Sequence, residues 1–311
     1  MNNQLEKSSL GRSSLHVTRL GYGAMELRGA PNGPDIDEKQ AKILLNSILD
    51  LGINFIDTSI DYGISESLIG KYISHRRSEF YLASKCACSV LPEAIAEGRH
   101  VYTKANIIAG VEQSLMRMKT DYLDVIQFHG TDEIHNTREL LEKHDAVGTL
   151  QELQKQGKVR FLGASSILPH IRDLIEWDVF DALQLPYSPL VSEHGSVINE
   201  AANARIGTII RGGISQGEAT EYIEGQTNKI AFDSWNKFVQ ANLDELRSQG
   251  ESRTSFLLRL TLSNPNISTI IVGTKNINHL TENVKTALNG RLSSDVYEEA
   301  NQRLKNLELN S

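Results

Sequence analysis

Three apolar runs in the first half of the chain each lead into an ionisable side chain. Ile53-Asn54-Phe55-Ile56 runs into Asp57, Phe80-Tyr81-Leu82-Ala83-Ser84 into Lys85, and Leu123-Asp124-Val125-Ile126-Gln127-Phe128 into His129. Tyr62, followed by Gly63, comes a short turn after the first. With a period of two, Ile53, Phe55 and Asp57 share one face of a strand, so a carboxylate sits where a buried strand would otherwise stay apolar. Burying it is costly unless a cation meets it, and Lys85 is the cation available. The pair serves the tyrosine. A phenol with a pKa near ~10 is a poor proton donor at neutral pH, and a buried cation beside it should stabilise the phenolate and lower that value. Asp57 in turn keeps Lys85 charged. His129 can donate a hydrogen bond to a carbonyl oxygen and turn it toward Tyr62. Such a set protonates an oxygen while a hydride reaches the adjoining carbon. No side chain delivers hydride, so a nicotinamide cofactor is implied.

These residues need strands that end at a common rim. Short, continuously apolar strands are expected near 20–24, 53–57, 80–85, 123–128, 159–164, 181–185, 207–210 and 267–272. Helical stretches near 65–74, 104–119, 139–156, 168–176, 194–204, 235–247 and 277–289 alternate with them. Before these, Asp37 caps a helix in which Ala41, Leu44, Leu45, Ile48 and Leu51 recur at helical spacing and which Gly52 ends. Eight strand-helix units in about 270 residues are what a single (β/α)8 TIM barrel requires, and one domain is expected over 1–311. Ser8 to Val17 reads as an N-terminal β-hairpin about Gly11, and a C-terminal helix closes the chain. An open doubly wound sheet is the competing architecture, but its G-x-G-x-x-G fingerprint is absent: Gly21-Tyr22-Gly23 leads into Ala24, Met25 and Glu26. A barrel binds phosphate instead in the loops after strands seven and eight. Here those are the glycine-rich Arg211-Gly212-Gly213-Ile214-Ser215-Gln216-Gly217 and Gly273-Thr274-Lys275-Asn276. Gly217 to Asp233 reads as one long polar excursion that could cover a ligand. With the loops Leu27 to Pro34 and Cys88 to His100 it should wall the pocket.

Composition narrows the class. The 311 residues are 40% hydrophobic and 23% charged, with a formal net charge of -7 and a pI near 5.8. An acidic chain without a basic face argues against nucleic acid as a partner. The polar start and the lack of a long apolar run argue against a secretory leader or a membrane span, so a cytoplasmic location is expected. Cys86 and Cys88 are too close for a structural disulfide and supply only half a zinc site; they read as reduced bystanders, and no metal is expected.

Phe55-Ile56-Asp57-Thr58, Asp61-Tyr62-Gly63, Ser65-Glu66-Ser67-Leu68-Ile69-Gly70-Lys71, Ser84-Lys85 and Gln127-Phe128-His129, in that order, resemble the aldo-keto reductase superfamily. The likeness is strongest to the branch holding bacterial reductases and potassium-channel β subunits. It implies Tyr62 as general acid, Lys85 and Asp57 as its tuning pair, His129 as the residue orienting a small-molecule aldehyde or ketone, and a hairpin plugging the barrel bottom. It also implies NADPH rather than NADH. Gly23, Ala24, Met25 and Asp57 would meet the cofactor at the first strands; Ser165, Ser166 and Gln184 would hold its carboxamide. Arg211, Gly212, Gly213, Ile214, Ser215 and Gly217 would pass under it. Gly273, Thr274, Lys275, His279, Glu282 and Asn283 would hold the adenosine and its 2′-phosphate, with Lys275 as a point charge. Two departures stand out. Ser166 replaces the usual asparagine, and Arg211 replaces the aromatic ring that stacks on nicotinamide, adding a cation that could favour an anionic substrate. The channel-subunit likeness also admits a nucleotide-sensing protein with slow turnover. A carbohydrate-handling barrel would want paired carboxylates at its strand ends, and this chain offers one carboxylate and a lysine.

Overall fold

The computed structural model describes residues 4–31, 33–130, 137–218 and 228–310. Ten strands are present among the described residues: β1 (Lys7–Ser9), β2 (His16–Thr18), β3 (Leu20–Gly23), β4 (Phe55–Asp57), β5 (Tyr81–Cys86), β6 (Leu123–Phe128), β7 (Val159–Ser165), β8 (Ala182–Pro186), β9 (Gly207–Arg211) and β10 (Thr269–Val272). β1 and β2 pair antiparallel as the N-terminal hairpin. β3 to β10 form a closed parallel barrel in sequence order, with β10 returning to pair with β3. The (β/α)8 architecture read from the alternation of strands and helices is therefore the observed one. β4 and β10 are shorter than expected, beginning at Phe55 and Thr269.

Period-two alternation decides what lies inside. Phe55, Ala83, Val125, Ala182, Ile209 and Ile271 pack against one another in the barrel interior, with Leu10, Leu15 and Val17 of the hairpin closing it from below. Two residues further along the same strands, and so on the same face, stand Asp57, Lys85, Gln127, Gln184 and Arg211, with Gly273 after β10. The interior thus changes from hydrocarbon to polar within one layer, at the carboxyl ends of the strands, where barrels of this kind carry chemistry.

The surrounding helices show where local pattern misled. The stretch expected as one helix over 139–156 is two, Thr137–Lys143 and Ala146–Lys155, because Asp145 takes a left-handed conformation (φ 47°) between them. The helix expected at 235–247 runs instead from Lys229 to Gln240; Asn242, also left-handed (φ 50°), separates it from a short 3-10 turn, Leu243–Leu246. Lys229 to Asp233 is accordingly helix and not part of a long excursion, and residues 219–227 of that excursion lie outside the described residues. The helix Arg253–Ser263 was not anticipated. Leu258 and Leu262 pack on the barrel wall, while Phe256, Leu257 and Leu260 join Trp235, Phe238, Ala300 and Leu304 in a second core cluster. A helix buried on two sides has no polar stripe to mark its period. Ala300 and Leu304 belong to the C-terminal helix, Ser294–Asn310. The capped helix after Asp37 is as expected, Glu38–Asp50, with the Asp37 side chain accepting from the Lys39 and Gln40 amides; Leu49, not Leu51, completes its buried face. Among the described residues, no helix is long and apolar enough to cross a membrane.

Candidate active site

β4, β5 and β6 are adjacent in the barrel, so the three strand-end residues meet at one rim. Lys85 Nζ donates to Asp57 Oδ2 at 2.7 Å and to the Thr58 carbonyl at 2.7 Å. Both side chains of the pair are almost wholly buried. The second carboxylate oxygen is held as firmly: Asp57 Oδ1 accepts from Gln127 Nε2 at 2.7 Å and from Gln184 Nε2 at 2.9 Å. Gln184 Nε2 also lies 3.1 Å from Gln127 Oε1. With its amide hydrogens so committed, Gln184 keeps Oε1 as its acceptor.

Tyr62 is placed by a turn whose neighbours are pinned on both sides. Ser65 Oγ donates to the Ala24 carbonyl at 3.0 Å and shares a hydrogen bond with Thr58 Oγ1. Glu66, completely buried, accepts from Ser84 Oγ at 2.7 Å and so ties the following helix, Ser65–Tyr72, to β5. Gly63 is the residue this turn cannot do without. Its φ is +49°, and a Cβ there would sit 2.0 Å from the Arg28 carbonyl oxygen, which accepts from the Ile64 amide. Gly63→Ala should therefore cost on the order of 1–3 kcal/mol in a urea titration and displace the neighbouring Tyr62. An alanine variant with wild-type stability would contradict this packing.

Lys85 Nζ lies 4.7 Å from the Tyr62 ring centroid, and the Tyr62 and His129 rings meet edge to face with centroids 6.1 Å apart. The charges behave only partly as expected. Burial opposes the Lys85 ammonium, but Asp57 and Tyr62 outweigh it, so Lys85 is held charged above its ordinary range. Tyr62 departs from the expectation: burial raises its pKa, and the attraction of Lys85 for the phenolate does not fully offset it. The phenol is thus a proton-bearing group throughout the neutral range. His129 is pushed down to about 3, first by burial and then by Lys85, with Asp61 opposing, so the imidazole is neutral. Its Nδ1 lies 3.3 Å from Cys88 Sγ and 3.5 Å from Asp61 Oδ1. Burial pushes the Cys88 thiol up to about 12, leaving an S–H to donate; Asp61 Oδ1 is farther away and already accepts from Ser59 Oγ. The tautomer these contacts favour carries its proton on Nε2.

Above this rim lies a cavity of about 840 Å³. Of the residues picked out from the sequence, Gly23, Met25, Asp57, Tyr62, His129, Ser165, Gln184, Arg211, Gly212, Gly213, Ile214, Ser215 and Gly273 line it. Others stand elsewhere. Lys85 is behind Asp57, and Ala24 is buried beneath the wall. Gly217 follows the glycine-rich loop but is outside the cavity lining. Thr274 is buried, its carbonyl accepting from the Tyr22 hydroxyl at 2.7 Å. Lys275 lines a separate cleft of about 520 Å³ beside Asp35 to Leu44. His279 and Glu282 are exposed and Asn283 is half-buried on the helix Ile277–Leu288. Sequence reasoning missed Gln127, Arg28, Arg99, Asp61, Cys88 and His100 as site residues. Gln127 carried a signal, since it shares a strand face with His129 two residues on; the others depend on loops that only the fold brings together.

The rim suits a nicotinamide head group by its donors and acceptors. Ser166 Oγ is fully buried with no hydrogen-bond partner among the described residues, and it adjoins Gln184, whose backbone carbonyl accepts from the Ser166 amide at 3.0 Å. Ser166 is not among the cavity-lining residues, so within the cavity a carboxamide, with one acceptor and two donor hydrogens, is matched by Ser165 and the Gln184 Oε1 acceptor.

Comparison with known proteins agrees with this architecture. The chain is 27% identical over 314 residues to the uncharacterized oxidoreductase YqkF of Bacillus subtilis (strain 168), covering 94% of each protein. It is 26% identical over 302 residues to the L-galactose dehydrogenase of Arabidopsis thaliana, covering 90% of this chain and 88% of that one. Among solved structures, the holo form of aldo-keto reductase AKR11C1 from Bacillus halodurans superimposes with a TM-score of 0.81 at 25% identity, over 96% of both chains. Residues 19–305 match the model of the aldo/keto reductase family, and the chain belongs to that family of oxidoreductases, which generally work with nicotinamide cofactors.

Proposed function

We propose that this chain, acting as one catalytic domain, reduces an aldehyde or ketone to an alcohol with NADPH, Tyr62 supplying the proton. The observation that carries this reading is the convergence of Asp57, Tyr62 and His129 on one wall of the mouth cavity, with Lys85 bonded to Asp57 behind it and near the Tyr62 ring. The nicotinamide, when bound, supplies the hydride. The protein's own residues do the rest. His129, neutral and carrying its proton on Nε2, donates to the substrate oxygen and turns it toward the phenol. Tyr62 passes its proton to that oxygen, and the phenolate left behind is balanced by Lys85, whose charge Asp57 secures. Gln127 and Gln184 fix the Asp57 carboxylate in place by donating to its second oxygen, so that its first faces Lys85. Ser165 and Gln184 hold the carboxamide, and the Arg211–Ser215 loop and Gly273 support the remainder. Lys275, in the separate cleft beyond Gly273, meets the 2′-phosphate as a point charge, and His279, Glu282 and Asn283 hold the adenosine.

Consumption of NADPH with an activated aromatic aldehyde, NADH serving as the second donor, tests this reading. Tight NADPH binding without aldehyde-dependent oxidation would favour a nucleotide-sensing role instead.

Arg211 bears on the substrate. It ends β9 at the cavity wall, and its guanidinium has no hydrogen bond or ion pair among the described residues. Arg28 and Arg99 line the same cavity. An aldehyde that carries a carboxylate would find a charged donor there, and such a bond is worth about 1.5–3 kcal/mol. Arg211→Ala should then lower kcat/KM for a carboxylate-bearing aldehyde by about 10- to 100-fold and change that for a neutral one little. Equal losses on both would assign Arg211 to the cofactor.

A further inference from the structure

Four side chains able to bind a metal converge beside the mouth, and the reductase reading uses them only in part. A single donor atom from each of Asp61, Cys88, His100 and His129 can be chosen so that all four lie within 4.8 Å of one another. Two of the separations are already those of a bound ion. Cys88 Sγ is 3.3 Å and Asp61 Oδ1 3.5 Å from His129 Nδ1. Tetrahedral zinc, with bonds of about 2.0–2.3 Å, sets its donor atoms about 3.3–3.8 Å apart, so the widest pair must close by about 1 Å.

The donors are held by backbone that leaves them little freedom. Cys88 and His100 face each other across an antiparallel bridge, flanked by Ser89 N to Arg99 O at 2.9 Å and Val101 N to Ala87 O at 2.7 Å. The buried Asn106 amide donates to the Cys88 and Val101 carbonyls and clamps both strands of that bridge. The Tyr102 hydroxyl fixes the His129 carbonyl at 2.6 Å. Gly130, at φ +73°, makes room for the neighbouring ring: a Cβ there would fall 2.2 Å from His100 Nδ1. The His100 and His129 rings accordingly meet edge to face with centroids 5.1 Å apart.

We propose that Asp61, Cys88, His100 and His129 form a binding site for a zinc-class divalent cation, and that its occupation stops turnover by drawing the His129 ring away from Tyr62. The ligand set, one thiolate, two imidazoles and one carboxylate, selects zinc over magnesium or calcium, which take oxygen donors. Binding releases the Cys88 thiol proton to solvent, and the His129 Nδ1 lone pair turns from that S–H to the metal. The resulting thiolate and carboxylate balance the ion. Of the cations nearby, Lys85 is committed to Asp57, while the Arg99 side chain, 69% exposed, can leave Asp61 for water. Metal binding stands independently of the proposed activity; the inhibition rests on it.

Cobalt(II) serves as the probe, because a thiolate ligand gives a ligand-to-metal charge-transfer band that oxygen and nitrogen ligands do not. Titration of the cofactor-free full chain should show that band saturating at one equivalent, reversed by zinc and untouched by magnesium. Cys88→Ser should abolish the band, and His100→Asn should weaken binding by more than the ~10- to 100-fold that loss of an outer-shell partner costs. Zinc should inhibit NADPH oxidation by the wild type at the concentration where it displaces cobalt. Each variant, measured against its own metal-free rate, should resist that concentration. Absence of the sulfur band, or cobalt binding undiminished in both variants, would overturn the site; a saturated site with unchanged turnover would overturn the inhibition. A chain with no turnover at all would fail the reductase reading alone, since the spectrum needs none.

Discussion

Tyr62→Phe should lower kcat/KM for an aldehyde by about 10²- to 10⁴-fold, the range a positioned general acid supplies, while NADPH binding stays close to wild type. The substitution removes one hydroxyl and keeps the ring that stands over Lys85 Nζ and against His129. Packing is therefore conserved, and the loss reads as chemistry. Because burial raises the Tyr62 pKa, the acid form persists across the neutral range, and activity should decline only on the alkaline side where the phenol ionises. Stopped-flow oxidation of NADPH separates this from a slowed product release. A loss under tenfold would mean that another group or a water supplies the proton.

The second large effect is expected on stability. Lys85→Met leaves the Asp57 carboxylate, 2% exposed, with the two glutamine amides as its partners among the described residues. Breaking a buried ion pair from one side costs about 3–5 kcal/mol, chiefly because the remaining charge is stranded. The urea midpoint should fall accordingly at constant slope. Pairing it with Asp57→Asn removes the stranded charge and should recover much of the stability, with turnover still lost. A single Lys85→Met variant within about 1 kcal/mol of wild type would show that the pair is not buried as described.

How much of this the sequence carried depends on the kind of signal each residue gives. Asp57 and Lys85 interrupt apolar strands with charge, His129 follows one with an ionisable ring, and such groups at buried positions are conspicuous. The eight strands followed from continuous apolar runs between amphipathic helices. Arg253–Ser263 escaped because a helix buried between the barrel wall and the Trp235 cluster shows no polar face. Gln127 and Gln184 carry no charge, so nothing in the local sequence ties them to Asp57, although their alternation with Val125 and Ala182 puts them inside. The direction of the Tyr62 shift could not be read either: it depends on how deeply the ring is buried against how near Lys85 lies. Cys88 looked like half a zinc site with Cys86. The fold instead turns Cys88 toward His100 and His129, through a backbone bridge between residues twelve apart.

The central claim is that this mouth transfers hydride from NADPH to a carbonyl. The most direct measurement is a single turnover with NADPH deuterated at the transferable position of its nicotinamide and an aldehyde substrate, followed by analysis of the alcohol. The account predicts deuterium on the carbinol carbon in a one-to-one ratio with NADP+ formed, in wild type and, far more slowly, in Tyr62→Phe. Alcohol without deuterium, or bound NADPH that is never oxidised by any aldehyde, would contradict it.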